Sequence, residues 1–180
     1  MKSTAAMDVT NMKVEEQLGV VSKNGYNVQY IKDPSEEVQL AAVENWSYSI
    51  KHIRNPSEKV QLAAVNKNGF TLQYINNPSE AVQLAAVRQS GDSIQFIDNP
   101  SKKMQLISVM FSGYNIQHII KPSKEVQLAA IANDWQSIIF IKKPALETQI
   151  EAVKSDKYAI KHIKNPSSQA KKLHLLLWVL

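Results

Sequence analysis

The chain has no cysteine among its 180 residues. Disulfides, thiolate nucleophiles and thiolate metal ligands are therefore excluded. Glycine is scarce, with five residues, and these stand singly, in neither the GxxxxGK[ST] nor the GxGxxG arrangement that cradles a phosphate. The acidic pairs Glu15–Glu16 and Glu36–Glu37 fall on solvated helix starts, with no histidine or serine placed to form acid–base or nucleophilic machinery with them. No catalytic residue, metal site or cofactor is expected, and the chain reads as a non-enzymatic protein. The apolar stretch from Leu175 to Leu180 is too short to span a bilayer. The N-terminus lacks the long apolar segment of a secretory signal. No membrane partner is expected, and the expected location is the cytoplasm.

What the chain does have is a strict period. Its seven prolines, Pro34, Pro56, Pro78, Pro100, Pro122, Pro144 and Pro166, are each 22 residues apart. The segment PSEEVQLAAV from Pro34 returns as PSEKVQLAAV, PSEAVQLAAV, PSKKMQLISV, PSKEVQLAAI and PALETQIEAV. A second segment follows each time, as in GYNVQYI from Gly25, GFTLQYI from Gly69, GDSIQFI from Gly91 and GYNIQHI from Gly113. A fixed period of this size marks stacked units, each too small to bury its own apolar side. The expected fold is an all-α, right-handed solenoid of 22-residue two-helix repeats. Residues 1–10 are expected to be a flexible lead-in, 11–166 the repeat array and 167–180 a closing helix.

Within each unit, Asp33, Asn55, Asn77, Asn99 and Asn165 precede proline, which suits an N-cap followed by proline at the first helical position. On that alignment Glu36, Glu58 and Glu80 occupy the third position and complete a capping box. A serine N-cap one residue beyond the proline is the alternative. Val38, Ala41 and Ala42, with Leu40 and Val43, give a wide apolar stripe, and the alanines admit close helix approach. The second segment carries an apolar pair three residues apart, such as Val28 and Ile31. It reads as a short, partly 3₁₀ helix, because strict alternation fails where isoleucine and tyrosine are adjacent. Gly25, Gly69, Gly91 and Gly113 are expected to take positive φ at the turn between segments; Ser47, Trp135 and Lys157 fill the same column in other units.

The repeating unit, with matching residues Ala63, Ala64, Val65, Gly69, Leu72 and Ile75, resembles the short bacterial and viral repeats of unassigned function called DUF4116. It is also similar to leucine-rich variant repeats, which stack short helices into a right-handed superhelix, although this chain lacks their iron–sulfur cysteines. The resemblance covers about residues 12–166 and carries scaffold positions, so it implies a fold and no activity. The low divergence between units resembles that of bacteriophage and large-virus proteins, which implies a role in virus–host interaction, in the host cytoplasm.

Candidate binding residues are the repeated surface columns. The first runs through Tyr26, Tyr48, Phe70, Asp92, Tyr114, Gln136 and Tyr158 just after the turn, with Trp46 and Trp135 beside it. Large rings at a loop edge concentrate binding energy, or else the tryptophans cover gaps where glycine is missing. A second column, Gln29, Lys51, Gln73, Gln95, Gln117, Ile139 and Lys161, varies as an exposed column does. Next to it run Tyr30, His52, Tyr74, Phe96, His118, Phe140 and His162, expected mainly to fill space between short helices. The helical glutamines Gln17, Gln39, Gln61, Gln83, Gln105, Gln127 and Gln149 are expected to bond backbone of the adjacent unit.

Charge is uneven: residues 1–44 hold seven acidic and four basic side chains, whereas 142–172 hold eight lysines against Glu147, Glu151 and Asp156. The expected partner is a protein. Nucleic-acid backbone binding through Lys142, Lys143, Lys154, Lys157, Lys161, Lys164, Lys171 and Lys172 is the alternative, and homo-oligomerisation through the apolar C-terminal helix is a third.

Overall fold

The computed structural model describes residues 12–179; the expected lead-in at 1–10 lies outside them. The described residues form two compact units, divided between Gln89 and Ser90. Every regular element among them is helical, and ten-residue α-helices alternate with six-residue 3₁₀ helices along most of the chain.

In the first unit, Val14–Lys23 (α1), Glu36–Asn45 (α2), Glu58–Lys67 (α3) and Glu80–Gln89 (α4) alternate with the short helices Gly25–Tyr30 (η1), Ser47–His52 (η2) and Gly69–Tyr74 (η3). Each α-helix packs on the next, each short helix packs on the next, and α2, α3 and α4 lie against η1, η2 and η3 respectively. The second unit repeats the scheme. Its short helices are Gly91–Phe96 (η4), Gly113–His118 (η5), Trp135–Phe140 (η6) and Lys157–His162 (η7); its long ones are Lys102–Phe111 (α5), Lys124–Asn133 (α6), Leu146–Ser155 (α7) and Ser168–Leu176 (α8). Each unit is thus an all-α stack of two-helix repeats.

The core of each repeat comes from the same columns. Val38, Ala42 and Val43, or Val60, Ala64 and Val65, are fully buried, and the short helix packed against them buries Ile50 or Leu72. No single repeat encloses these side chains; the neighbouring repeat supplies the other wall, as the stacking argument requires.

At helix entry the serine alternative holds in place of the Asp or Asn cap before proline. Ser35, Ser57, Ser123 and Ser167 are the N-caps, with the hydroxyl accepting from the backbone N–H three residues on, at 3.4 Å for Ser35 and Val38. The residue before proline serves the turn instead, since Asp33, Asn55, Asn77 and Asn165 take φ of 49°, 52°, 49° and 58°. Asp and Asn tolerate the left-handed region better than other non-glycine residues, which is why they stand there. Glu36 and Glu58 consequently begin their helices instead of closing a capping box. Each accepts a hydrogen bond from the N-cap serine of the following repeat, Ser57 and Ser79, the former at 2.6 Å. The Ser57 hydrogen bond, helped by Lys59, holds the Glu36 carboxyl below its ordinary pKa.

The turn glycines also differ from expectation, since none of the described glycines has positive φ. Their requirement is closeness. A Cβ on Gly25 would collide with the carbonyl oxygen of Ala42 in the next repeat, and one on Gly113 would collide with that of Ala130. The N–H groups that open these short helices are capped across the junction: Gly25 donates to Asn45 Oδ1 at 2.8 Å and Gly113 to Asn133 Oδ1 at 2.7 Å. The same amides donate back, Asn45 to the Ser22 carbonyl at 2.8 Å and Asn133 to the Met110 carbonyl at 2.9 Å. Each asparagine thus staples two adjacent repeats.

Candidate functional site

The helical glutamines belong to the scaffold. Gln39, Gln61, Gln105 and Gln127 each donate to the carbonyl of the proline five residues earlier, at 2.8 to 3.0 Å. The other end of the amide reaches the next repeat: Gln127 Oε1 accepts from the Ala145 N–H at 2.9 Å and the Thr148 hydroxyl at 3.2 Å, and Gln149 Oε1 from the Ser167 N–H at 2.8 Å. One amide therefore serves the proline loop of its own repeat and the loop that follows.

A column that sequence reasoning missed lies on the inner side of the short helices. Ser49, Thr71, Ser93 and Ser137 are fully buried there, with Asn115 nearly so. Thr71 and Ser137 hydroxyls donate to the carbonyls of Asn68 and Asp134 three residues earlier, both at 2.7 Å. The signal was present in the sequence as a run of small residues two positions after the glycine column.

The outer side of the short helices in the first unit assembles the aromatic candidates. Tyr26 of η1 meets Trp46 at 5.6 Å between ring centroids and the His52 ring edge-on at 5.1 Å. Trp46 continues to Tyr48 at 5.9 Å, and Tyr48 to Tyr74 of η3, again at 5.9 Å. Tyr30 joins at the other end, 6.5 Å from Tyr26. These tilted and edge-to-face contacts are the favoured geometry for aromatic pairs. They link rings from three successive short helices into one ladder. Tyr30 is 54% exposed, Tyr74 40% and Tyr26 38%, so these rings are only partly covered by their neighbours. The second-column residues line the same side: Lys51 lies with its ammonium 5.3 Å from the Trp46 ring, and Gln73 is exposed and turned back to the Phe70 carbonyl at 2.9 Å. Phe70 and Gln29 are half-buried.

His52 sits inside this ladder with Nε2 buried and without a hydrogen-bond partner. Burial lowers its pKa first, and the Lys51 ammonium lowers it further. The folded state therefore prefers neutral imidazole, while the unfolded chain takes up a proton at the ordinary histidine pKa. This stability term is absent above that pKa and becomes a loss as pH falls below it. In urea unfolding from pH 7.5 to 5, the wild type should lose more stability than His52→Phe; parallel pH profiles would contradict this placement of the ring.

In the second unit the candidates are dispersed. Tyr114 donates its hydroxyl to Gln136 Oε1 at 2.5 Å and packs on Phe140 at 5.6 Å. Trp135 is half-buried, 6.2 Å from His162. Tyr158 lies edge-on to Trp178 at 5.7 Å. Lys161 stands 4.9 Å from the Tyr158 ring centroid and Lys157 4.0 Å from that of Trp178. Gln95 folds back to the Asp92 carbonyl at 3.0 Å, and Gln117 is exposed. Of the lysines considered for nucleic acid, Lys154 pairs with Glu151 at 3.8 Å.

The charged helix starts form ion pairs between repeats, Lys59 with Glu36 at 3.6 Å and Lys124 with Glu147 at 3.1 Å. Both pairs are exposed, so each contributes little to stability. Among the described residues no helix is long and apolar enough to cross a membrane, and no cluster of three or more histidine, aspartate or glutamate side chains could hold a metal ion.

No protein family matches the chain, and neither the curated proteins nor the solved structures include a match to it.

Proposed function

We propose that the protein is a non-enzymatic binding module whose first unit engages an extended polypeptide through the ring ladder of Tyr30, Tyr26, Trp46, His52, Tyr48 and Tyr74. The observation that carries this reading is the continuity of partly exposed rings across η1, η2 and η3. Tyrosine and tryptophan supply large contact area at low conformational-entropy cost and dominate interface energetics. Their spacing by one repeat suits a partner that runs along the stack and meets each short helix in turn.

The sparse positive charge of these short helices supports a polypeptide over nucleic acid on this face. Lys51 is the sole lysine or arginine in η1, η2 and η3, whereas nucleic-acid binding draws most of its affinity from several lysine or arginine contacts to phosphates. A polypeptide needs none, and the rings accept apolar side chains and backbone edges alike.

The test is selection of a phage-displayed random dodecapeptide library on the full chain, followed by calorimetry with the enriched peptides. The expected result is saturable binding that weakens at least tenfold in Trp46→Ala and in Tyr26→Ala, and changes little between 50 and 300 mM salt. Equal binding by the wild type and Trp46→Ala, or failure of any peptide to enrich, would reject the proposal.

A further inference from the structure

The second unit contains a cavity of about 540 Å³ between the loops that follow η5 and η6. This volume lies in the range of sites that hold small molecules. Ile120, Phe140 and Ile141 give it apolar walls, Lys121, Lys142 and Lys143 give it charge, and no acidic residue lines it. The carboxylates of the adjacent helix starts are engaged elsewhere, Glu125 by Lys102 and Glu147 by Lys124. The three ammonium groups join none of the ion pairs among the described residues.

The backbone supplies an independent observation. Lys121 occupies the pre-proline position that Asp33, Asn55, Asn77 and Asn165 fill in other repeats, and it takes the same left-handed conformation, φ 53°. Lysine has no local hydrogen bond to offset the crowding of its Cβ there, whereas asparagine and aspartate do. The fold therefore does not call for a lysine at this position. Ile120 adds a second cost, being 79% exposed where other repeats place Lys32, Arg54, Asn76, Asp98, Lys142 or Lys164. A strained cation and a bare isoleucine side by side at one cavity are what a ligand with both kinds of surface would use.

We infer that this cavity binds a small organic anion, one acidic head group on an apolar body. The lysines attract the head, and Ile120, Phe140 and Ile141 remove the body from water. Bare inorganic phosphate would leave the apolar walls unused. A nucleic-acid strand would need cations spread along its backbone, while these three line one cavity. Lysine is a point charge without the planar fork of arginine, so the site does not itself choose between carboxylate and phosphate as the head. The site lies wholly within the second unit and shares no residue with the ring ladder, so either can fail without the other.

The experiment is fluorescence titration of the full chain with 8-anilinonaphthalene-1-sulfonate, an anion on an apolar body, followed by competition. The expected result is one saturable site per chain, emptied by decanoate or by phenyl phosphate, whichever head group fits, and left filled by inorganic phosphate and by decanol. The triple variant Lys121→Asn, Lys142→Gln, Lys143→Asn should weaken competitor binding at least tenfold. The charge-matched control Lys103→Gln, Lys171→Gln, Lys172→Gln should leave it unchanged. Lys121→Asn alone should weaken binding several-fold while its melting temperature stays level or rises. No saturable site, displacement by inorganic phosphate as readily as by decanoate, equal loss in the control, or a lower melting temperature for Lys121→Asn would each overturn the inference.

Discussion

Replacing Gln127 by leucine will destabilise the protein by about 3 kcal/mol, although the side chain keeps nearly its shape and gains apolar surface. Gln127 is 7% exposed and its amide satisfies the Pro122 carbonyl, the Ala145 N–H and the Thr148 hydroxyl. Leucine leaves all three groups without that partner. A buried polar group so orphaned costs about 1–3 kcal/mol, and partial access of water to the loop groups keeps the sum below the simple total. Urea denaturation gives the check, as a lower midpoint with an unchanged slope. Gln95→Leu is the internal control, because Gln95 is exposed and bonds only its own short helix; it should change stability by no more than about 0.5 kcal/mol. Equal losses for the two would mean that the helical glutamine column does not join the repeats.

Glycine to alanine will have opposite signs at two positions. Gly113→Ala places a methyl group against the Ala130 carbonyl, a backbone atom that cannot swing aside. Overpacking of this kind costs about 1–3 kcal/mol, and about 2 kcal/mol is expected here. Gly19 lies exposed within α1 with nothing near its added Cβ, so Gly19→Ala should stabilise by about 0.5–1 kcal/mol through helix propensity alone. Ser47, Trp135 and Lys157 stand in the Gly113 column of their own repeats, so those junctions hold a Cβ natively; the cost at Gly113 is that of altering a junction already closed on glycine. Thermal unfolding of both variants decides. A stabilised Gly113→Ala would show that the glycine serves something other than close approach.

The repeat architecture was readable because the chain states its period repeatedly. Val38, Ala42 and Val43 recur with their neighbours at fixed separation, and the two-segment unit follows from switching between the spacing of an α-helix and that of a short 3₁₀ turn. Boundaries were less readable. Asn55–Pro56–Ser57 offers two N-cap candidates, and local preference alone favours either; Asn55 is taken up by the left-handed turn before the proline, φ 52°, which leaves Ser57 to accept from the Val60 N–H. The glycines misled for a different reason. Gly25 and Gly113 stand just after a helix, where positive φ is the usual demand, yet the constraint comes from Ala42 and Ala130 of the following repeat.

The candidate site was legible in part. Tyr26, Trp46 and Tyr48 were readable as rings beside the turn, with binding and gap-filling both open for Trp46; Tyr26 is exposed, and Trp46 and Tyr48 are half-buried. That Tyr30, His52 and Tyr74 would join them was not, because their column sits four residues further along, and it is the stacking of successive short helices that brings His52 to Tyr26 and Tyr74 to Tyr48. The cavity beside Lys121 was not legible at all. Its sequence trace was the replacement of Asp or Asn before proline by lysine at positions 121 and 143, which reads as neutral variation until Lys121 is seen in a left-handed conformation.

The stack depends on each 22-residue unit being held by contacts that any neighbouring unit of the same pattern can supply. The most direct test is to delete residues 56–77, joining Asn55 to Pro78, and to follow thermal unfolding by circular dichroism. The shortened chain should keep a helical spectrum and a cooperative transition, because the new junction restores the same valine, alanine, glutamine and serine contacts. Loss of cooperative unfolding would show that the units are not interchangeable and would contradict that dependence.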